Sequence, residues 1–172
     1  MTNDLAMATE KLKALAEIQR IVGDLQRRGK KVVFANGCFD LLHVGHIRYL
    51  QAARQLGDVL VLGLNSDQSV RALKGKGRPV MSEDERTEIL SALECVDYLI
   101  LFDDLTAANV LSQLKPDFHA KGTDYTEETV PERATVLSYG GKIVIVGDAK
   151  AHSTREYLER IAQCLGDTKG GA

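Results

Sequence analysis

Two of the four histidines of this chain, His43 and His46, lie three residues apart with Gly45 between them. They follow a short apolar, β-branched run at 31–36 and lie at the start of a pattern with helical spacing. Since positions i and i+3 share a face of a helix, we expect the two rings side by side in the first helical turn. A helix N-terminus offers free N–H groups and partial positive charge, and a glycine there lets a ligand approach the backbone. The stretch therefore predicts a phosphate site with two imidazole donors.

Two other roles for the histidine pair are weighed against this one. A histidine at a helix start can simply cap the helix or pack against neighbouring side chains. That role is less expected for two histidines on either side of a glycine. A zinc site would need more ligands, and only Cys38 and Asp40 are near in the sequence. We predict no metal site built from protein side chains.

Basic residues recur at alternate positions, Lys74, Lys76 and Arg78, on a segment broken by two glycines and a proline. Such a segment predicts a mobile loop that can bring cations to a polyanion. The alternative is an ordinary solvated basic loop.

The elements that must position these residues follow from apolar periodicity. Ser82 and Glu85 have the spacing of a capping box, which predicts the start of a helix with an apolar stripe at Ile89, Leu90 and Leu93. Strands are predicted at 31–36, 58–65, 97–102, 117–122 and 142–147, and further helices at 8–28, 44–56, 105–114, 127–138 and 153–165. The alternation predicts an α/β fold of the Rossmann-like, doubly wound kind: a parallel sheet of about five strands with helices on both faces, preceded by an amphipathic helix. Ligands bind such sheets beyond the carboxyl ends of the strands, which is where the histidine pair lies.

Length and composition limit the class of protein. A chain of 172 residues with a net charge of −2 is expected to form one domain and not to bind nucleic acid. The three cysteines have no CxxC spacing, no signal peptide is visible and no apolar run reaches ~18 residues, so we expect a cytoplasmic protein with reduced thiols and no membrane contact. We divide the chain into an N-terminal helix at 1–29 belonging to the same domain, the main domain at 30–165 and a flexible tail at 166–172.

The stretch GCFDLLHVGH resembles the HxGH motif of nucleotidyltransferases, which join a nucleoside triphosphate to a phosphorylated small molecule and release pyrophosphate. Four further segments fit that superfamily in order: GLNSD (63–67), LKGKGRP (73–79), DERTEIL (84–90) and AHSTREYLERI (151–161). The similarity spans roughly 28–163. Within the superfamily, NGCFDLLHVGH, KGKGRPV and KGTDY (121–125) are most similar to the adenylyltransferases that make ADP-heptose from heptose 1-phosphate for bacterial envelope polysaccharide.

The resemblance implies a set of residue roles. Catalysis falls to His43, His46 and Lys74, which stabilise charge on the triphosphate as donors and cation rather than as nucleophiles. The partners implied are ATP and a phosphorylated sugar, with Mg²⁺ held mainly by the triphosphate. The implied nucleotide- and phosphate-binding residues are Asn36, Gly37, Cys38, Phe39, Gly45, Lys121, Gly122, Asp124, Ser153 and Thr154. The residues implied for the acceptor are Asp40, Asn65, Asp67, Arg78 and Arg86.

Several of these positions have simpler explanations. Four of them could cap their helices, namely Asp40, Asp67, Ser153 and Thr154. Arg86 could form a surface salt bridge with a neighbouring glutamate. The KGTDY stretch could be an ordinary polar loop after a strand.

For three further positions, the residue type alone does not indicate that the side chain binds a ligand. Cys38 could be a small buried hydrophobe, because the reaction needs no thiolate. Arg155 stands where the superfamily often has a small hydroxyl residue; it could add a cation to the triphosphate or point to solvent. His152 is assigned no role.

Rival functions remain open. The nearest is a cytidylyltransferase acting on glycerol 3-phosphate or another phosphorylated alcohol, and a second is a non-catalytic nucleotide-binding module. A nicotinamide-dependent oxidoreductase would need G-x-G-x-x-G after the first strand, which this chain lacks. An aminoacyl-tRNA synthetase would need a longer chain and a Lys-Met-Ser-Lys-Ser-like loop. The helix at 8–28 could pack on its own domain or on a second subunit, so a homodimer is also open.

Overall fold

The computed structural model describes residues 10–148 and 153–167, which form a three-layer α/β fold. Its strands are β1 (Val32–Gly37), β2 (Val59–Asn65), β3 (Tyr98–Phe102), β4 (Phe118–Lys121) and β5 (Lys142–Ile145). Its helices are α1 (Leu15–Arg27), α2 (Val44–Arg54), α3 (Asp67–Lys74), α4 (Glu83–Ser91), α5 (Ala108–Leu114), α6 (Arg133–Ser138) and α7 (Thr154–Asp167).

The five strands form one parallel sheet in the order β3-β2-β1-β4-β5. Chain progression reverses between β1 and β4, since β1 is followed by β2 on one side and has β4 on the other. This is the doubly wound arrangement predicted from the sequence, and ligands bind such sheets at the reversal point. The β1–α2 turn, which carries the histidine pair, leaves the sheet there.

The sheet is apolar on both faces because helices cover both. On one face Phe34 and Val61 pack in a core with residues of α1, α5 and α6. On the other face Val33 and Leu62 pack with residues of α2 and α4. The helix that carries His46 is thus fixed to the sheet by its own buried side, which includes Leu50.

Local signals at the helix ends are confirmed. Ser82 caps α4 and exchanges hydrogen bonds with Glu85, the predicted capping box. Gly29 follows α1 with φ 76°, the left-handed backbone that glycine adopts without strain.

Two predicted helices begin well after the start expected from the sequence, and α5 begins slightly late, at Ala108. The helix predicted from residue 8 begins at Leu15, because Leu12 forms an isolated bridge with Leu99 and the Lys13 N–H donates to the Leu99 carbonyl at 2.9 Å. Residues 8 and 9 lie outside the described part of the chain. The helix predicted at 127–138 is limited to α6, because Thr126 and Thr129 close a hydrogen-bonded turn before it.

Within the two described ranges, no helix is both long enough and apolar enough to cross a bilayer.

Candidate functional site

The β1–α2 turn is held in an unusual backbone conformation. Phe39 and Leu41 both have positive φ, 47° and 50°, a region that side-chain-bearing residues seldom adopt. Phe39 is buried, and its ring packs against His46 and Tyr49 at centroid distances of 5.3 and 6.4 Å. A Cβ on Gly37 would lie 3.0 Å from the Phe39 ring, so a glycine fits this tightly packed turn.

The two histidines lie side by side at the start of α2, as their spacing predicts. His43 is the N-cap residue and His46 lies in the first turn; their rings stack with centroids 3.8 Å apart and planes inclined by 22°. The backbone N–H of His43 donates to Nδ1 of His46 at 3.4 Å, which leaves the His46 proton on Nε2. Burial, reinforced by the neighbouring His43, lowers the pKa of His46 to about 4. His46 is therefore a neutral N–H donor at neutral pH.

The start of α7 meets the histidine turn from a distant part of the chain. The Thr154 hydroxyl donates to the Asp40 carbonyl at 2.8 Å, and the Tyr157 ring stacks on His43 at 5.6 Å. Ser153 and Glu156 cap the helix reciprocally, so the capping alternative for Ser153 matches the structure. His152 lies outside the described residues.

Asp40 anchors the basic loop to the histidine turn. Its carboxylate is buried and accepts hydrogen bonds from Arg78 Nε at 2.7 Å and from the backbone N–H groups of Val80 and Met81. Burial alone would raise the pKa of Asp40, but the two backbone donors and the Arg78 guanidinium outweigh it and hold the pKa below its ordinary value. Asp40 and Arg78, both predicted to bind the acceptor substrate, thus bind each other. Their contact with that substrate stays a prediction.

Arg86 joins the ends of two strands to the same loop. Its Nη1 donates to the carbonyls of Cys38 and Asn65 at 2.7 and 2.8 Å, Nη2 to the Asp67 carboxylate at 2.8 Å, and Nε to the Met81 carbonyl at 3.2 Å. The side chain is fully buried. The alternative of a surface salt bridge with a neighbouring glutamate is therefore wrong, and Arg86 organises the rim of the sheet.

The polar side chains at the carboxyl end of β2 form hydrogen bonds within the protein. Asn65 donates from its amide nitrogen to the Ser69 hydroxyl at 2.8 Å. Ser66, not Asp67, is the N-cap of α3, which removes the capping alternative for Asp67. Contact of Asn65 or Asp67 with an acceptor stays a prediction.

The basic loop leaves its first two cations exposed. Lys74 is the last residue of α3 and Lys76 follows it, both exposed to solvent. Gly75 and Gly77 beside them have φ of 88° and 84°, where a side chain would be strained. The loop geometry thus depends on its glycines. Both lysine side chains are exposed, so a ligand in solution could reach them.

A buried lysine stands at the carboxyl end of β4. Lys121 Nζ lies 3.4 Å from the Glu132 carboxylate, 3.4 Å from Asn36 Oδ1 and 4.7 Å from the centre of the Tyr125 ring. Burial lowers the pKa of Lys121, and Glu132 opposes that shift. A Cβ on Gly122 would meet no atom within 4 Å, so space is open beside this lysine. The predicted nucleotide positions Asn36 and Lys121 are thus brought together.

Sequence reasoning missed three residues of this region. Glu132 also accepts from the Ala107 N–H at 3.1 Å, and the Tyr49 hydroxyl donates to the Ala120 carbonyl at 2.8 Å. His119 is fully buried in β4 and contacts Asn36. A histidine inside a short apolar strand was a readable signal, whereas Glu132 and Tyr49 carry none in their local sequence.

Cys38 lies in the histidine turn but is not set up as a nucleophile. Burial raises the pKa of its thiol, with Lys74, Arg86 and Arg78 opposing the shift. The thiol is therefore protonated at neutral pH, which agrees with the structural alternative for this residue.

Beyond β2 and β3 lies an open polar cleft of about 330 Å³, lined by residues that include Asp67, Arg71 and Glu83. It does not include the histidine pair. In the part of the chain that the structure describes, no three His, Cys, Asp or Glu side chains are grouped so that they could hold a metal ion.

Known proteins match this chain over most of its length. A family model described as Cytidylyltransferase-like matches residues 34–160. The bifunctional protein HldE of Syntrophotalea carbinolica is 53% identical over 152 residues, which are 88% of this chain and 30% of that protein. Its counterpart in Geobacter sulfurreducens is 48% identical over 157 residues, 91% of this chain and 32% of that protein. The chain thus spans less than a third of the length of these curated relatives.

A solved structure supports the same grouping. The lipopolysaccharide core biosynthesis protein from Thermoplasma volcanium has a TM-score of 0.62 with this chain at 31% identity, covering 71% of this chain and 100% of that one. Together with the histidine turn at the carboxyl edge of a doubly wound sheet, these matches show that the chain belongs to the cytidylyltransferase-like family.

Proposed function

We propose that this chain transfers the adenylyl group of ATP to a sugar 1-phosphate, heptose 1-phosphate, and releases pyrophosphate. The observation that carries the proposal is the stacked pair His43 and His46 at the start of α2, beside the point where the sheet order reverses. The similarity to bifunctional HldE and to a lipopolysaccharide core biosynthesis protein supports a place in lipopolysaccharide precursor synthesis. The heptose acceptor is supported by the resemblance of the motifs NGCFDLLHVGH, KGKGRPV and KGTDY.

The proposed chemistry is an in-line displacement at the α-phosphorus. An anionic oxygen of the sugar phosphate forms the new P–O bond while the bond to pyrophosphate breaks, and the electron pair leaves with pyrophosphate. The nucleophile is already an anion, so no strong general base is needed. The residues must instead orient two polyanions and stabilise the charge that develops on phosphate oxygens.

The neutral His46 suits that task. Its Nδ1 accepts the backbone N–H of His43, so Nε2 carries the proton and can donate to a phosphate oxygen without first losing or gaining a proton. The free N–H groups at the start of α2 add partial positive charge. Lys74, exposed at the end of α3, is proposed to supply a full positive charge to the triphosphate.

Mg²⁺ is proposed to accompany the triphosphate, whose charge it would partly neutralise. The described residues offer no group of three metal-binding side chains, and the buried Asp40 carboxylate is occupied by Arg78 and two backbone donors. We therefore assign the ion no protein ligand; phosphate oxygens and water would hold it.

Pyrophosphate release tests the proposal. The purified chain would be incubated with ATP or CTP and, separately, with each anomer of heptose 1-phosphate or with glycerol 3-phosphate. Turnover with ATP and one heptose 1-phosphate anomer supports the proposal, and inversion at a chirally labelled α-phosphorus supports direct displacement. Retention would indicate a covalent intermediate instead.

The family description gives one rival a specific basis, namely a cytidylyltransferase acting on a phosphorylated alcohol. Preferred turnover of CTP with glycerol 3-phosphate would establish that rival. Tight ATP binding without turnover of any pair would indicate a non-catalytic nucleotide-binding module.

A further inference from the structure

His119 is a buried histidine that the proposed reaction does not use. It lies in β4, next to β1 in the sheet, has no solvent exposure and packs against the Phe34 ring at a centroid distance of 5.9 Å. Its Nε2 lies 3.1 Å from Oδ1 of Asn36, the penultimate residue of β1. His119 therefore reaches from the interior toward the rim where the ligand is proposed to bind.

Two donors converge on the Asn36 side chain. Lys121 Nζ lies 3.4 Å from the same Oδ1 atom, and an ammonium group can only donate a hydrogen bond. The atom facing Lys121 must therefore be the amide oxygen rather than the amide nitrogen. The His119 nitrogen that contacts this oxygen must in turn carry a proton.

The environment of His119 agrees with that assignment. Burial, with Lys121 nearby, lowers the pKa of His119 to about 3, so the ring is neutral and carries one N–H. That proton lies on Nε2, which leaves Nδ1 as an acceptor. Nδ1 is buried and has no hydrogen-bond partner among the described residues. The ring thus uses one nitrogen for Asn36 and leaves the other unpaired.

The amide nitrogen of Asn36 donates to none of the described residues. It is not among their fully buried polar atoms that lack a partner, and Asn36 as a whole is half-buried. With Oδ1 held by two donors, the amide cannot rotate by 180° without losing both hydrogen bonds. Asn36 therefore presents N–H groups, and not a carbonyl, at the rim between β1 and β4.

We propose that His119 is a positioning residue that fixes the Asn36 amide so that its nitrogen donates to an oxygen of the bound nucleotide. The proposal rests on the proposed function for the identity of the nucleotide. The oxygen can belong to a phosphate or to the ribose, since both accept hydrogen bonds.

The unpaired Nδ1 separates this role from a packing role. A buried acceptor without a partner lowers stability, and an apolar side chain of similar size would avoid that cost. We therefore expect His119→Leu to melt at the same temperature as the parent protein or higher, while ATP binding weakens. If His119 served only for packing, His119→Leu would not weaken ATP binding while the melting temperature is maintained.

The test measures ATP dissociation constants by calorimetry, with melting temperatures, for His119→Leu and His119→Gln. Glutamine keeps an N–H donor near the position of the histidine Nε2. We expect His119→Leu to weaken ATP binding about fivefold to tenfold, as for the loss of one positioned hydrogen bond, and His119→Gln to recover most of that loss. In an Asn36→Ala background, His119→Leu should have no further effect. Binding of inorganic tripolyphosphate and of adenosine would show which oxygen Asn36 contacts.

The outcomes separate this inference from the proposed function. Equal weakening by leucine and glutamine, or an undiminished His119→Leu effect in the Asn36→Ala background, would overturn the positioning role. ATP binding that responds as expected, without turnover of any substrate pair, would support the positioning role and contradict the transferase. Turnover with ATP, together with unchanged ATP binding in both His119 variants, would support the transferase and contradict the positioning role. A parent protein that binds no ATP would overturn the transferase and the positioning role alike.

Discussion

The rings of His43 and His46 are stacked 3.8 Å apart because one is the N-cap of α2 and the other lies one turn into that helix. The His43 backbone N–H directs Nδ1 of His46 inward, which leaves Nε2 as the donor. The pair is held in place from three sides, by Phe39 against His46, by Tyr157 against His43 and by α2 itself.

We expect His43→Ala and His46→Ala each to lower turnover about 100-fold or more, as for the loss of a donor that acts on developing charge. The fold should persist, because α2 is held by its buried side. Pyrophosphate release and circular dichroism check the two parts of this prediction. Gln51→Ala, exposed on the same helix, is the matched control. Turnover near the parent value in both histidine variants would remove the proposed role.

The Asp40 carboxylate should stabilise the fold through the basic loop. Asp40→Ala leaves the Arg78 guanidinium and the Val80 and Met81 N–H groups without their partner. We expect a loss of about 2–4 kcal/mol in the free energy of unfolding, measured by urea denaturation. Asp148→Ala, which breaks an exposed pair with Arg48, should cost less than ~1 kcal/mol. Equal losses in the two variants would show that Asp40 has no special anchoring role.

Arg86 should tolerate no substitution. Arg86→Met leaves three carbonyls and the half-buried Asp67 carboxylate without their donor, for which we expect a loss of about 3–5 kcal/mol. Arg86→Lys should also be destabilised, because one ammonium cannot span acceptors that a planar guanidinium reaches together. Denaturation curves check both variants beside Arg27→Ala, an exposed change on α1. A stable Arg86→Lys protein would contradict the prediction.

Stability should fall in mild acid. The pKa of His119 is lowered from 6.5 to about 3 by burial, so the folded chain keeps this ring neutral where the unfolded chain protonates it. Between about pH 6.5 and 3 the unfolded state binds more protons, so the free energy of unfolding falls as pH falls; above pH 6.5 the full stability is present.

The slope from His119 should approach about 1.4 kcal/mol per pH unit. His46, with its pKa lowered to about 4, acts in the same direction. Urea denaturation at pH 7, 6 and 5 checks this, and His119→Leu should show a shallower decline than the parent protein. Parallel declines would mean that His119 is not buried in a neutral form.

Lys74→Ala should lower turnover about 10- to 100-fold and leave the melting temperature unchanged, because the side chain is exposed and is proposed to contact only the triphosphate. Added salt should reduce the difference between parent and variant, since it screens exposed charges. The control is Lys142→Ala, an exposed lysine at the amino end of β5, on the edge of the sheet away from the site. Equal effects of the two changes would point to net charge rather than to Lys74.

Much of the fold could be predicted because its signals are local. The apolar runs that became β1 and β2 are buried on both faces, and the Ser82–Glu85 spacing produced its capping box. The start of α1 could not be predicted, because the bridge between Leu12 and Leu99 joins segments far apart in the sequence.

In the candidate site too, some contacts follow from local spacing and others depend on tertiary packing. The spacing of His43 and His46 is enough to place their rings together, since a helix turn determines it. The partners of Arg86, at Cys38 and Asn65, depend on how α4 packs over the ends of two strands.

The sequence by itself determined the strand and helix pattern, the parallel sheet and the histidine pair at its edge, because periodicity and short spacing depend on neighbouring residues alone. Only the tertiary structure decided that Asp40 binds Arg78, that Thr154 reaches Asp40 and that His119 holds Asn36. Those contacts join strands, loops and helices brought together by packing. Burial, which sets the pKa values of His46 and His119, likewise exists only once the layers have closed around the sheet.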